Sequence, residues 1–236
     1  MTPSLEVFVP GALWLREYPV RLGGARFHAR MTVIKLRSGA LLVHSPCAFD
    51  ASLASEVAAL GRVAAIIAPG NLHWLHVRSC QQTFPEAVTH VCRGVEERAK
   101  GLTFDFVLGD DAPPLWAGEL SQVALEGTRV MREVAFFHHE SRTLVLVDLV
   151  ENFTPDTPGT NWLLRLGFRA LGMWNDPSPA PEYSFAWGDK ARVREGMERI
   201  LAWDFERVIL SHGDVITRDA RRVVARAWQK VLRPRQ

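Results

Sequence analysis

Apolar and polar positions alternate along this chain with two periods. Residues 13–18, 27–36 and 40–44 carry strand-like apolar runs, and Ser38-Gly39 turns the second into the third. Leu53, Val57 and Leu60 recur at helical spacing, which predicts a helix over 50–60. The unbroken apolar stretch 63–68 reads as a buried strand. A helix over 75–84 follows and Pro85 ends it. Residues 88–92 and 104–108 read as strands, with a charged helical segment at 94–100 between them. Three strands over 120–125, 133–138 and 143–147 come next, separated by turns at Glu126-Gly127 and Glu140-Ser141. Segment 152–188 mixes five prolines with one apolar helix over 162–171 and reads as an insertion or cap. A helix over 190–203, a strand over 206–210 and a basic amphipathic helix over 218–231 close the chain. Strands interleaved with helices predict a layered α/β architecture in a single domain.

The chemistry sits where apolar runs stop. Strand 63–68 meets Pro69-Gly70 and delivers Asn71, His73 and His76 just beyond it. Leu144-Val145-Leu146-Val147 ends at Asp148, and Val208-Ile209-Leu210-Ser211 at His212-Gly213-Asp214. Ligands at the ends of neighbouring strands are one way in which a sheet assembles a metal site from remote sequence. Two other residues near these strand ends, His44 and Cys47, suit a structural turn better than a nucleophilic pair, because adjacency alone supplies neither a thiolate nor a placed base. His138 and His139 are adjacent in a strand and point to opposite faces, so they do not share one ion.

Composition narrows the partners. A net charge of +2 gives no global pull towards nucleic acid, and the arginines of 218–231 read as a solvated face. No run approaches the roughly 20 apolar residues of a membrane span, so no membrane partner is expected. The first residues lack the basic-then-apolar order of a secretory signal, and Cys47, Cys80 and Cys92 form no C-x-x-C pair. Both features point to the cytoplasm. There is no nucleotide-binding glycine motif. Most of the eight tryptophans are expected in the core, with Trp74 and Trp174 placed to wall a pocket.

The stretches Arg30-Met31-Thr32-Val33-Ile34-Lys35-Leu36, Leu42-Val43-His44-Ser45-Pro46 and Asn71-Leu72-His73-Trp74-Leu75-His76, with the strand ends at Asp148 and His212, resemble the metallo-β-lactamase superfamily. The nearest likeness is to a divergent branch known only as a domain of unknown function. The resemblance covers nearly the whole chain and implies an αββα sandwich. Members typically hold one or two zinc or iron ions at one sheet edge, and many are hydrolases. Their H-x-H-x-D-H motif, laid over this chain without gaps, puts Asn71 on the first histidine and His73 on the second. Leu75 then falls on the aspartate and His76 on the last histidine. Asp148 matches the metal-bridging aspartate and His212 the final histidine. The histidine segment expected before Asp148 is absent around 127–132. The resemblance thus implies a dismantled first metal site and a second that retains His76, Asp148 and His212, with His73 as a further ligand or a supporting donor.

Two histidines and a carboxylate suit one zinc or ferrous ion with a position left for water; a chain with no metal is the equal alternative. Asn71 and Asp214 are the candidates for orienting water or substrate, Asp214 also for bonding His212 or capping a turn. The leading expectation is a single-metal hydrolase of a small ester, lactone, thioester or phosphoester. Leu75 and Asn71 motivate the rival, a non-catalytic binding or scaffold protein that kept the fold and lost the site. A homodimer is compatible with either.

Overall fold

The computed structural model describes residues 5–185 and 188–233. The chain divides into two compact units, one of residues 1–18 and 30–108, the other of 19–29 and 109–236.

The first unit is built on β1 (Glu6–Val9), β2 (Leu13–Leu22), β3 (Ala25–Lys35), β4 (Leu41–His44), β5 (Val63–Ala68), β6 (Val88–Cys92) and β7 (Phe106–Leu108), hydrogen-bonded in that order. The tip of the β2–β3 hairpin belongs to the second unit. β3 and β4 are antiparallel, whereas β4, β5, β6 and β7 run parallel. Parallel pairing requires crossovers, which α1 (Ala51–Leu60) and α2 (Val77–Thr83) supply; α3 (Val95–Arg98) follows β6. All six residues of β5 are buried, as expected of a central parallel strand covered on both faces. Asp50 caps α1 by accepting the amide of Leu53, and Leu53 and Val57 form its buried stripe. The three cysteines are free and buried.

The second unit contains a sheet ordered β11 (Arg207–Ile209), β10 (Thr143–Val145), β9 (Val134–His138), β8 (Leu120–Ala124). Alternation divides its faces. Val123, Leu125, Ala135, Phe137, Leu144 and Leu146 pack into one core with the helices, while Phe136 turns the other way and meets Trp116 at 6.4 Å. Helix α6 (Lys190–Leu201) presents Val193, Met197 and Ile200 to that core at helical spacing, and Gly196 lets it approach Leu125. Segment 152–189 carries α4 (Trp162–Ala170) and α5 (Pro181–Phe185). A small cluster of Phe153, Leu164, Phe168 and Met173 holds α4 down.

Two helices differ in extent from the sequence expectation, and β1 and α5 were not expected from it. The basic helix over 218–231 is two helices, α7 (Ala220–Ala227) and α8 (Gln229–Leu232), broken at Trp228. The Trp228 side chain is fully buried and its indole donates to the Leu149 carbonyl, so tertiary burial sets the break. Helix α2 begins at Val77, because residues after Pro69-Gly70 form successive turns: His73 N–H bonds the Gly70 carbonyl and Val77 N–H that of Trp74. His73 and His76 therefore do not share a helical face. Among the described residues, no helix is long and apolar enough to cross a membrane.

Candidate metal centre

In the second unit, β10 and β11 are parallel neighbours, so the chain leaves both at the same sheet edge. Asp148 and His212 follow these two strands, and Asp148 Oδ1 lies 3.3 Å from His212 Nε2 with both side chains buried. The other imidazole nitrogen, Nδ1, is 3.1 Å from the His28 carbonyl, and Phe27 packs edge-on against the ring at 5.1 Å. Gly213 takes φ +89°, and a Cβ there would fall 2.1 Å from the Asn152 carbonyl oxygen. Only glycine fits this left-handed position, where Asn152 N–H bonds the His212 carbonyl and Asp214 N–H bonds that of Asn152. Asp214 Oδ2 accepts from the hydroxyls of Thr154 at 2.6 Å and Thr157 at 2.8 Å, so its carboxylate braces the 154–157 turn.

Glu133 holds the Asp148 segment from beneath. Its oxygens accept the backbone N–H groups of Val147, Asp148 and Leu149 at 2.7–2.8 Å, and the Tyr183 hydroxyl lies 3.4 Å away. Burial pushes the Glu133 carboxyl up to about 8, helped by the charge of Asp148 and opposed by the three amides. Glu151, one helical turn's length of sequence beyond Asp148, is buried too, and its Oε2 has no hydrogen-bond partner among the described residues. Burial raises it to about 8, with His212 opposing and Asp148 adding to the shift. Burial alone would lower His212, but the hydrogen bond and charge of Asp148, with Glu151 and the His28 carbonyl, raise it on balance. Glu133 and Glu151 were not expected from the sequence. For Glu133 the one available signal was an acidic residue directly before the apolar strand that contains Phe136.

The first unit carries the other expected ligands. β4 and β5 are parallel, so Ser45 and the Asn71–His76 turns emerge at one edge. Ser45 is buried with φ 53°, its N–H bonds the Ile67 carbonyl, and its Oγ lies 2.8 Å from His73 Nδ1. Burial first, and then the charge of His73, lower His44 to about 3, so it is neutral. Asn71 lies within the first of these turns and is buried. His76 is the N-cap residue of α2, with its ring edge-on to Tyr18 at 5.4 Å, and burial lowers its pKa. Leu75, where the superfamily motif has an aspartate, is 67% exposed.

These shifts fix a pH dependence for the metal-free protein. Glu133 and Glu151 keep their protons in the fold to about pH 8, while the unfolded chain releases them near 4.5. The folded state thus binds more protons in between, and stability falls as pH rises. His212, also raised, contributes stability at low pH that is lost as pH climbs through its folded value, the same sense. His44 acts oppositely, but only below 6.5. Urea unfolding should therefore show a loss on the order of 3 kcal/mol between pH 6.5 and 8. A gain over that interval would contradict the assignment.

Comparison with known proteins places this geometry. The family model for a domain of unknown function, DUF4336, matches residues 10–170. No curated protein matches the sequence significantly. Solved structures similar to the chain include the metallo-β-lactamase FIM-1 from Pseudomonas aeruginosa in its mono-zinc form, at 11% identity and a TM-score of 0.66, with 98% of each chain covered. The metallo-β-lactamase from Hirschia baltica is similar at 14% identity and a TM-score of 0.63, over 99% of this chain and 100% of that one. That from Erythrobacter litoralis follows at 10% identity and 0.65, over 96% and 95%. At these identities the likeness is one of fold, the αββα sandwich. The chain belongs to the DUF4336 family, a domain of unknown function, and has the fold of the metallo-β-lactamases.

Proposed function

We propose that the chain is a single-metal hydrolase of a small ester, lactone, thioester or phosphoester, with Asp148 and His212 as ligands of one zinc or ferrous ion and His73, from the superfamily resemblance, as the third. The observation that carries this reading is the cluster of buried carboxyl groups around Asp148 and His212. Three acidic side chains, Glu133, Asp148 and Glu151, are buried near one imidazole, and one oxygen of Glu151 has no hydrogen-bond partner among the described residues. Burial keeps Glu133 and Glu151 protonated in the metal-free protein, a divalent cation would favour their ionised forms, and the imidazole and carboxylate donors suit zinc or ferrous iron. His73 completes the set in this reading because it occupies the superfamily's second histidine position, and its Nδ1 is anchored by Ser45 as ligand imidazoles commonly are. The His212 Nδ1 contact with the His28 carbonyl is of the same kind. His76 is assigned to packing on Tyr18 instead.

When bound, such an ion would lower the pKa of water towards neutrality and polarise a carbonyl or phosphoryl oxygen. The chain's own residues supply the rest. Glu133 fixes the turn bearing Asp148, Ser45 sets the His73 ring, and Gly213 with Asp214 fixes the loop bearing His212. Asn71 belongs to the turn that presents His73 and is the group assigned to orient substrate or water.

A panel of ester, lactone, thioester and phosphoester substrates tests this. Turnover that disappears on chelation and returns with zinc or ferrous iron is the expected result. A metal-loaded protein inert across the panel would instead favour a binding protein that kept the fold, the reading that Leu75 in place of the motif's aspartate supports.

A further inference from the structure

Helix α4 buries Leu164 and Phe168 and leaves a second apolar edge uncovered. Trp162 is 72% exposed and Leu166, one turn on, is 56% exposed. Arg165 and Arg169 stand beside them at i+3 spacing, so two large apolar and two cationic groups share one helix face. Both guanidiniums lie over the Trp174 ring, at 5.6 and 5.4 Å, and Arg165 also bonds Thr160.

The β2–β3 hairpin tip extends this face. Asn161, the N-cap of α4, donates to the Gly24 carbonyl and accepts from the Arg26 amide, and Leu163 packs against Gly24. The tip presents Leu22, 64% exposed, between Arg21 and Arg26, both exposed. Residues 19–26 and 161–171 together contain four arginines and no acidic residue. A chain of net charge +2 thus concentrates cations around Trp162, the most exposed tryptophan among the described residues, and two exposed leucines.

We propose that this face docks on the surface of an anionic lipid bilayer. Contiguous exposed apolar side chains rimmed by polar groups mark interaction surfaces. Tryptophan and leucine flanked by arginine is the composition that lies in a bilayer interface, where the apolar groups enter the headgroup region and the cations meet lipid phosphate. Nucleic acid fits less well, since leucines offer no stacking face. Docking of this kind needs no spanning helix. It revises the expectation of no membrane partner and is independent of the metal.

Flotation with vesicles of phosphatidylcholine, with and without roughly one quarter phosphatidylglycerol, tests the proposal at low and high salt. The full chain should bind the anionic vesicles at least about tenfold more tightly, with the preference reduced by salt. Trp162→Ser/Leu166→Ser should abolish binding and Arg21→Gln/Arg26→Gln should weaken it, with unfolding temperatures near that of the parent. Should the first variant misfold, the lipid-charge preference and the arginine variant decide the question. Failure to bind anionic vesicles at low salt would overturn the proposal. So would binding unaffected by either variant, or a dimer broken by the serine variant with no vesicle binding.

Discussion

Replacing Glu133 by alanine is expected to destabilise the protein by about 3–5 kcal/mol, because several buried hydrogen-bond donors are left unsatisfied at once. Three buried amides, those of Val147, Asp148 and Leu149, lose their acceptor together. Each unsatisfied buried donor costs roughly 1–3 kcal/mol, partly recovered by relaxation or entry of water. Glu133→Gln keeps a carbonyl oxygen but turns an NH2 group towards at least one N–H donor, so an intermediate loss of about 1–3 kcal/mol is expected. Urea unfolding of the two variants beside the parent measures this. A Glu133→Ala loss below about 1 kcal/mol would show that the clamp contributes little. The same substitution frees the segment bearing Asp148, so stability and site geometry should fail together.

The second large effect concerns Asp148. Asp148→Asn preserves shape while removing the charge that pairs with His212 Nε2. Loss of even an outer partner of a metal ligand typically costs 10–100-fold in metal affinity or activity, so removing the ligand charge itself should cost at least about 100-fold in kcat/KM. In the parent, Asp148 also raises Glu133, Glu151 and His212. Asp148→Asn should therefore lower all three and flatten the stability loss between pH 6.5 and 8. Full hydrolytic activity in this variant would remove Asp148 from the site.

Legibility in the sequence followed the range of the forces involved. β5 could be read with its full extent because a buried parallel strand is a continuous apolar run ended by a breaker, and β6 because its β-branched residues lie between Pro85 and Gly94. β1 escaped notice: it is a short, largely exposed strand whose existence depends on pairing with β2, interrupted by a register shift at Val7–Val9. Asp148 and His212 stood out because a polar group directly after a buried strand is visible in one dimension. Glu133 did not, since its partners are backbone amides on a neighbouring strand's extension and amides leave no compositional trace. The Ser45–His73 contact depends likewise on the parallel alignment of β4 and β5. The break at Trp228 reflects where one indole is buried, which local helix propensity does not contain.

Protein purified without a histidine tag and analysed for bound metal provides the most direct test. The account predicts about one equivalent of zinc or iron per chain, as expected for a single three-ligand site, and its loss in His212→Ala. Metal-free protein that takes up none of these ions on titration, and whose unfolding temperature is unmoved by them, would contradict the existence of a metal site.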